Sequence, residues 1–236
     1  MKAHSDALEI TANNIANINT VGFKRDRSFS TFLRESGKDS GYPPEIGLTV
    51  NRSVRTDRRI DQSDGAMLST GRNLDVAIRG DGFLAVQTTR GERYTRNGNM
   101  HLDRNSTLRT ADGNPVLGVS GRQITLGQGE IHISDDGGVY LNGEEVDRLK
   151  VVVFQDRSQL EKEGEALFFS KGGEQPRPGT DTVMRSGYLE QANVNAVQSM
   201  VEMINILRNF ESIQKSVYHE MNDMNGKVID RLGRSS

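Results

Sequence analysis

The fold is decided by the stretch Leu74-Asp-Val-Ala-Ile-Arg-Gly-Asp-Gly-Phe-Leu-Ala-Val86, which lies in the first half of a 236-residue chain. It consists of two short apolar runs, Leu74–Ile78 and Phe83–Val86, separated by Gly80-Asp-Gly82. Short apolar runs bounded by glycine and aspartate are typical of β-strands, because these residues tolerate the positive φ of tight turns. The stretch therefore predicts two strands.

The same pattern continues on both sides, and we expect a central β domain over residues 47–189. Further short apolar or alternating runs are Leu48–Val50, Gln123–Leu126, Glu130–Ile133 and Lys150–Phe154. The turn signals between the runs are Asn97-Gly98, Asp112-Gly113, Asp136-Gly137-Gly138 and Asn142-Gly143. Many short strands at this spacing favour an antiparallel barrel or sandwich. No long helical pattern interrupts them, which argues against a parallel α/β enzyme fold.

The N-terminal segment, residues 1–35, opens with a helical stripe that ends before Gly22. The stripe has spacings of 3, 4 and 3 and consists of Leu8, Thr11, Ile15 and Ile18. The helix is rich in asparagine, a poor helix former because its amide competes for backbone hydrogen bonds. Two interpretations remain open. The helix is weak and frayed, or its amides meet partners, including partners on another chain.

The C-terminal segment, residues 190–236, carries the strongest helical pattern. Between Asn195 and Asp230 there is no proline, and the only glycine is Gly226. Such a helix would be about 54 Å long at 1.5 Å per residue. A heptad seam runs along it: Met203, Leu207, Phe210, Gln214, Val217, Met221, Met224 and Val228. Sustained heptads favour a helical partner over a helix folded back on the β domain, although both arrangements remain open.

The two helical segments lie at opposite ends of the chain, and a linker over residues 36–46 precedes the β domain. The N-terminal helix is too short to cover the C-terminal seam, so copies or relatives of the chain are the expected partners. Head-to-tail contacts that do not close into a ring generate an open helical filament. The sequence therefore predicts a tube of terminal helices with the β domain outside.

The composition and residue spacing give little indication of a catalytic, metal-binding or nucleic-acid-binding site. Thirty Lys and Arg against 32 Asp and Glu give a net charge of −2, so no strong field draws in nucleic acid. The absence of cysteine excludes disulfides, thiol nucleophiles and Cys-ligated metals. Asp103–Thr107 is similar in outline to a calcium loop, but Leu108 stands where glycine is required. The four histidines, His4, His101, His132 and His219, lack metal-ligand spacing. We expect no catalytic residues, no metal and no cofactor.

One basic cluster needs a separate interpretation. It consists of Arg52, Arg55, Arg58 and Arg59, with Asp57 and Asp61 interleaved. A nucleic-acid patch is one interpretation, but no aromatic residue stands within it. A solvated strand or a set of interface ion pairs is favoured.

Four segments, in order along the chain, resemble one family. Thr11-Ala-Asn-Asn-Ile-Ala-Asn-Ile-Asn-Thr-Val-Gly-Phe-Lys-Arg25 closely resembles the N-terminal signature of bacterial flagellar rod and hook proteins. The residues that match this signature include Asn13, Asn14, Asn17, Thr20, Gly22 and Phe23. The other segments are Leu74–Phe83, then Tyr94–Gly98 with Asp112–Gly118, and finally Gly187–Asn195 with the Met200–Ile204 helix start.

The resemblance implies a structural subunit of the flagellar basal-body rod, the shaft that transmits torque from motor to hook across the periplasm. It implies that the terminal helices form an inner coiled-coil tube and that the partners are copies of the chain and other rod or hook proteins. It also implies export through the flagellar type III apparatus, which needs no cleaved signal peptide, and the sequence carries no recognisable signal.

The resemblance also leaves alternatives. The proximal rod is favoured over a distal-rod or hook-type protein. Members of the family carry a longer stretch ahead of the signature than this sequence does. From a different class, a secreted β-rich cell-wall or glycan-binding module with a helical oligomerisation tail remains an alternative. No run of about 18 apolar residues occurs, so no membrane-spanning helix is expected.

Overall fold

The structure, a computed structural model, is mainly β with one helix near each end of the chain. It describes residues 2–34, 52–173, 175–179 and 182–233. The predicted linker, residues 36–46, and the predicted strand Leu48–Val50 lie outside these ranges. In the described part, no helix is both long and apolar enough to cross a bilayer.

Within the described ranges the chain forms two helices, seventeen strands and one 3-10 turn. The helices are α1 (Lys2–Ala16) and α2 (Ala196–Gly233), and the 3-10 turn is Arg157–Gln159. The strands are β1 (Asp26–Arg34), β2 (Arg52–Ile60), β3 (Met67–Ser69), β4 (Val76–Arg79), β5 (Phe83–Thr88), β6 (Gly91–Thr95), β7 (Met100–Leu102), β8 (Leu108–Thr110), β9 (Ile131–Ile133), β10 (Gly138–Leu141), β11 (Glu144–Arg148), β12 (Val151–Val153), β13 (Leu160–Glu163), β14 (Leu167–Ser170), β15 (Arg177–Pro178), β16 (Val183–Ser186) and β17 (Tyr188–Glu190).

The chain forms two compact units, which we call the helical unit and the β unit. The helical unit contains the described residues of 1–15, 26–59 and 196–236, and so holds both helices and the β1–β2 pair. The β unit contains residues 16–25 and 60–195. Its largest sheet has the strand order β13-β14-β6-β5-β12-β15, and a second sheet has the order β11-β10-β9. The remaining pairs of the β unit are β4–β16, β3–β17 and β7–β8.

The apolar run that opens β5 is buried on both faces of the six-stranded sheet. Phe83 and Ala85 belong to one hydrophobic cluster, and Leu84 and Val86 belong to another. All four residues are fully buried. A continuous rather than alternating run is what a strand with two covered faces requires. The described strands form open antiparallel sheets around these two clusters, not a closed barrel.

Most of the predicted strands are present, with two local differences. The runs on either side of Gly80-Asp-Gly82 do form strands, but β4 pairs with β16 whereas β5 pairs with β6 and β12. Residues 123–126 form only isolated bridges, because Gln123 and Thr125 pair with different partners. The Asn142-Gly143 turn joins β10 to β11 with φ of 52° and 87°, the left-handed pair that a type I′ hairpin needs.

The N-terminal segment is less helical than predicted. Helix α1 ends at Ala16, so Ile18 lies in the turn that follows and not on the helical stripe. The amide of Thr20 donates to the carbonyl of Asn17 and closes that turn. The chain then forms β1 within the predicted helical segment 1–35, where Phe29, Thr31 and Phe32 favour a strand. At the other end, the predicted long helix is confirmed as α2, with 38 residues.

Candidate functional site

The most unusual feature of the β unit is a buried cluster of charges, which we call the Lys24 cluster: Lys24, Asp64, Arg96 and Glu190. Lys24 Nζ lies 2.6 Å from Glu190 Oε1, and both side chains are only 1% exposed. Arg96 Nη1 lies 3.5 Å from Glu190 Oε2. Asp64 is half-exposed and lies 3.9 Å from Lys24 and 3.8 Å from Arg96. Two cations and two anions balance the cluster.

Local structure fixes each member of the cluster. Glu190 ends β17, which pairs with β3, and its Oε1 also accepts from the amide of Gly65 at 2.8 Å. Lys24 Nζ donates to the carbonyl of Ser63 at 2.8 Å. Residues from three distant parts of the sequence therefore meet at one buried point, which requires an ordered arrangement of their strands.

The guanidinium of Arg96 contacts two backbone carbonyls and an aromatic ring. Its guanidinium donates to the carbonyls of Ile78 and Gly80 and lies 4.8 Å from the centroid of the Phe83 ring. Burial lowers the pKa of Arg96 and the pKa of Lys24, while the neighbouring Glu190 carboxylate opposes both shifts. A buried ion pair of this kind is expensive to break, because one unpaired charge would remain in the interior.

The N-terminal signature docks beside this cluster. The amide of Gly22 donates to the carbonyl of Glu190 at 2.8 Å, and Phe23 is 1% exposed. Gly22 has a φ of 69°, and a Cβ on it would lie 2.6 Å from the carbonyl oxygen of Arg96. Only glycine fits there, because the position needs both left-handed backbone and close approach.

Asn193 completes the junction between the two terminal segments. Its side-chain Oδ1 accepts a hydrogen bond from the backbone N–H of Arg25 at 2.7 Å, and its backbone N–H donates to the carbonyl of Phe23 at 3.3 Å. Its Nδ2 donates to the carbonyls of Asp61 and Ser63, each at 2.9 Å. Residues 16–25 and the segment around Asn193, which are far apart in sequence, are thus hydrogen-bonded to each other within the β unit.

The asparagines of the signature have partners within this chain. Asn14 and Asn17 are buried, at 7% and 6% exposed. Asn14 bonds to the backbone of Asp26, and Asn17 accepts a hydrogen bond from the Thr20 hydroxyl. These hydrogen bonds favour the interpretation in which the amides meet partners, here within the same chain. In the rest of the predicted N-terminal stripe, Thr11 is buried and Leu8, Ile15 and Ile18 are partly buried.

The predicted C-terminal seam contains both partly buried and exposed residues of α2. Met203 and Phe210 are partly buried and fall on a stripe with Ser199, Ile206 and Ile213. The exposed residues of the predicted seam are Leu207, Gln214, Val217 and Met221. The side chains of Met224 and Val228 lie outside the described residues. Helix α2 carries further exposed apolar residues: Val197, Met200, Val201, Ile204 and Tyr218.

The basic cluster lies on strand β2. Arg58 and Arg59 lie at the end of β2. Arg58 Nε lies 3.9 Å from Asp26, and Arg59 stacks over Phe29 at 5.6 Å. The side chains of Arg52 and Arg55 are not among those described.

In the candidate calcium loop, Asp103–Thr107, the carboxylate of Asp103 is already engaged by groups of the same chain. The Asp103 carboxylate accepts from the amides of Asn105 and Thr107 and pairs with Arg109. The Arg109 hydrogen bond holds the pKa of Asp103 below its usual value, with the Thr107 amide contributing. Among the described residues, no three His, Asp or Glu side chains are grouped as a metal site would require.

A cleft of about 720 Å³ lies beside Tyr94 on the β unit. Its charged lining residues pair with one another: Lys150 with Glu92 at 2.8 Å, and Arg148 with Asp136 at 3.0 Å. Burial, reinforced by Glu92, raises the pKa of Tyr94 to about 12. These charges are satisfied within the chain, which gives the cleft little to offer a charged ligand.

Three family models match the chain in order. Residues 1–24 match the flagella basal body rod protein family, residues 77–141 match the flagellar hook protein FlgE/F/G D1 domain, and residues 185–231 match the flagellar basal body rod FlgEFG protein C-terminal family. Lys24, Arg96 and Glu190 each lie in a different one of these matches, and Asp64 lies between the first two.

Full-length relatives agree with the family models. The chain is 34% identical over 230 residues to the flagellar basal-body rod protein FlgF of Caulobacter vibrioides, covering 96% of this chain and 92% of the relative. It is 33% identical over 241 residues to FlgG of Bacillus subtilis, covering 92% and 90%. It is 34% identical over 241 residues to FlgF of Escherichia coli K12, covering 96% and 92%. The chain belongs to the family of flagellar basal-body rod proteins.

Sequence reasoning predicted the family but missed the Lys24 cluster. Lys24 lies within the signature, and Asp64 and Arg96 lie beside the turn residues Gly65 and Asn97. No sequence pattern predicts that these charged side chains are buried together. The available signal was the pair Gly22-Phe23 directly before Lys24, since a close-approach glycine and a buried aromatic predict a docked segment.

Proposed function

We propose that the chain is a structural subunit of the flagellar basal-body rod that polymerises through its terminal helices. The observation that carries the proposal is the exposed apolar surface of α2. Of the thirteen large hydrophobic side chains found exposed in the described part of the chain, eight lie on this helix. Apolar surface concentrated on one element marks an interaction site, because isolated exposed residues would be scattered.

The arrangement of these residues supports helical neighbours. Val197, Met200, Ile204 and Leu207 follow spacings of 3, 4 and 3, which place them on one face of the helix. Met203 and Phe210 lie on a second, partly buried stripe. A helix with two apolar faces can contact a neighbour on each, as packing in a coiled-coil tube requires. The predicted seam and N-terminal stripe are the proposed interface.

The proposed domain organisation follows the prediction. Residues 1–35 and 190–236 would form the inner core, residues 36–46 the linker, and residues 47–189 the outer β domain with sandwich-like packing. The exceptions are residues 16–25, which pack in the β unit, and residues 52–59, which pack in the helical unit. The partners would be copies of the chain and other rod or hook proteins. The role is structural, with no catalytic activity.

The proposed location is the basal body, where the rod crosses the periplasm. The subunit would leave the cell interior through the flagellar type III export apparatus without a cleaved signal peptide. We favour the proximal rod. Relatives named FlgF and FlgG are almost equally similar to the chain, so this position rests on the C-terminal signature. None of the relatives named above is described as a glycan-binding protein or an enzyme.

Cysteine cross-linking tests the proposal, because the natural chain contains no cysteine. In basal bodies isolated from cells producing Leu207→Cys and labelled at that thiol with a maleimide-benzophenone photo-cross-linker, we expect the subunit to cross-link to an axial neighbour. The matched control is Ser212→Cys, which is also exposed but lies on the polar face of α2. Equal cross-linking of both variants, or absence of the subunit from basal bodies, would overturn the proposal.

A further inference from the structure

We infer that the Lys24 cluster couples the docking of two segments of the β unit, residues 16–25 and residues 187–193. Each segment docks stably only when the other is in place, and we call this coupling the lock. Lys24 and Glu190 are 166 residues apart in sequence and meet at 2.6 Å in the interior of the β unit. The inference concerns the folding of a single chain, so it stands or falls separately from polymerisation.

The first argument is electrostatic. Without Glu190, the buried ammonium of Lys24 would keep only Asp64, at 3.9 Å and half-exposed, as an anionic neighbour. It would also face the buried guanidinium of Arg96, which lowers the pKa of Lys24. Without Lys24, the carboxylate of Glu190 would lose its shortest contact. A buried charge left without its partner destabilises the segment that carries it.

The second argument is the double attachment of Glu190. Its side chain binds Lys24 Nζ and the amide of Gly65, while its main-chain carbonyl binds the amide of Gly22 at 2.8 Å. The same residue therefore anchors the N-terminal segment through both backbone and side chain. Asn193 repeats this arrangement three residues later, through Arg25 and Phe23.

The third argument is steric. A Cβ on Gly65 would overlap the carbonyl oxygen of Gln191, and a Cβ on Gly22 would overlap the backbone of Arg96 and Asn97. Such close backbone approach leaves no room for either segment to dock in a shifted position. The two ends of the β unit therefore have a single way to fit together. A chain with one segment undocked should not present the other in its native place.

Amide hydrogen exchange on the purified full chain tests the lock, read separately for residues 16–25, residues 187–193 and strand β5. We expect Glu190→Gln to raise exchange about tenfold in residues 16–25, and Lys24→Met to raise it about tenfold in residues 187–193. Strand β5 should stay protected in both variants. In the double variant, the rise should be no larger than in the stronger single variant, because the pair acts as a unit.

The matched control is Lys171→Met, which removes an ion pair with Glu161 of similar length, 2.7 Å, but with side chains 73% and 46% exposed. It should leave both segments unchanged. If each single substitution loosens only its own segment, or if the two effects multiply in the double variant, the inference is wrong.

If β5 also loses protection in these variants, a milder substitution distinguishes loss of the lock from unfolding of the whole β unit. Asn193→Ala removes neutral hydrogen bonds and leaves every charge of the Lys24 cluster paired. We expect it to raise exchange several-fold at residues 16–25 with β5 still protected. Unchanged exchange at residues 16–25 in this variant would also overturn the lock.

Discussion

Asn14 and Asp26 form a reciprocal pair of hydrogen bonds in the helical unit. The Asn14 side chain donates from Nδ2 to the carbonyl of Asp26 at 2.8 Å and accepts at Oδ1 from the amide of Asp26 at 2.9 Å. A single amide thereby satisfies both backbone groups of the first residue of β1. The end of α1 and the start of β1 are joined across the ten intervening residues that belong to the β unit.

Replacing Asn14 with alanine should therefore be costly. Both backbone groups of Asp26, which is 3% exposed, would lose these partners. We expect Asn14→Ala to lower the free energy of unfolding by about 2–3 kcal/mol, measured by urea denaturation. Asn19→Ala is the control, because Asn19 is exposed in the turn after α1, and its effect should stay within about 0.5 kcal/mol. Equal effects of the two substitutions would contradict the structural role of Asn14.

Gly22 should tolerate no side chain. Gly22→Ala combines a φ of 69° with overlap of the new Cβ and the Arg96 backbone. We expect a loss of more than about 3 kcal/mol in the free energy of unfolding. Gly113→Ala is the matched control, since Gly113 has a φ of 82° but open space around it. That control isolates the backbone strain and should cost about 1 kcal/mol. Similar losses at both positions would show that the close approach to Arg96 contributes nothing.

Tyr94 should lose its proton only at strongly alkaline pH. Burial, reinforced by Glu92, raises its pKa from 10.0 to about 12 in the folded chain. Since the unfolded chain releases this proton first, the contribution of Tyr94 to stability is complete below pH 10 and declines as the pH rises towards 12. Ultraviolet titration should show a phenolate that forms near pH 12, and Tyr94→Phe should remove it. A late titration that persists in Tyr94→Phe would assign the shift to another residue.

Phe210→Glu should block incorporation into the rod without unfolding the β unit. Phe210 is partly buried on the stripe of α2 that also contains Met203. A carboxylate there would be desolvated in any helical contact. The readout is the amount of subunit in isolated basal bodies, together with the near-ultraviolet circular dichroism of the purified variant. Ser212→Glu places the same charge on the polar face of α2 and should assemble normally. Normal assembly of Phe210→Glu would show that the stripe is not an interface.

The strands of the β unit could be predicted wherever the local pattern was sufficient. The runs at β4, β5, β9 and β12 were recognised because apolar stretches and turn residues are local signals. The segment 123–126 was overestimated, because its residues bridge to separate partners that sequence spacing does not reveal. Strand β1 was not predicted, because residues 1–35 were assigned as a whole to a terminal helix whereas α1 ends at Ala16.

The site was harder to predict than the fold. Arg96 and Glu190 carry no local sign of burial, and charged residues are usually solvated. Only tertiary structure brings them together. The heptad pattern of α2 also did not show which seam residues are covered, since it groups the partly buried Met203 with the exposed Leu207. Periodicity identifies that a helix has apolar faces, but what covers each face depends on the neighbours.

Strand β5 has a consequence for how the β unit melts. Its alternate side chains, such as Phe83 and Leu84, belong to different hydrophobic clusters. Neither cluster can be lost while the other survives, since both are built on the same six-residue backbone. Heating should therefore produce a single calorimetric transition for the β unit, with its van't Hoff and calorimetric enthalpies equal. A mutation that destabilises one cluster should therefore lower the melting temperature of both clusters equally.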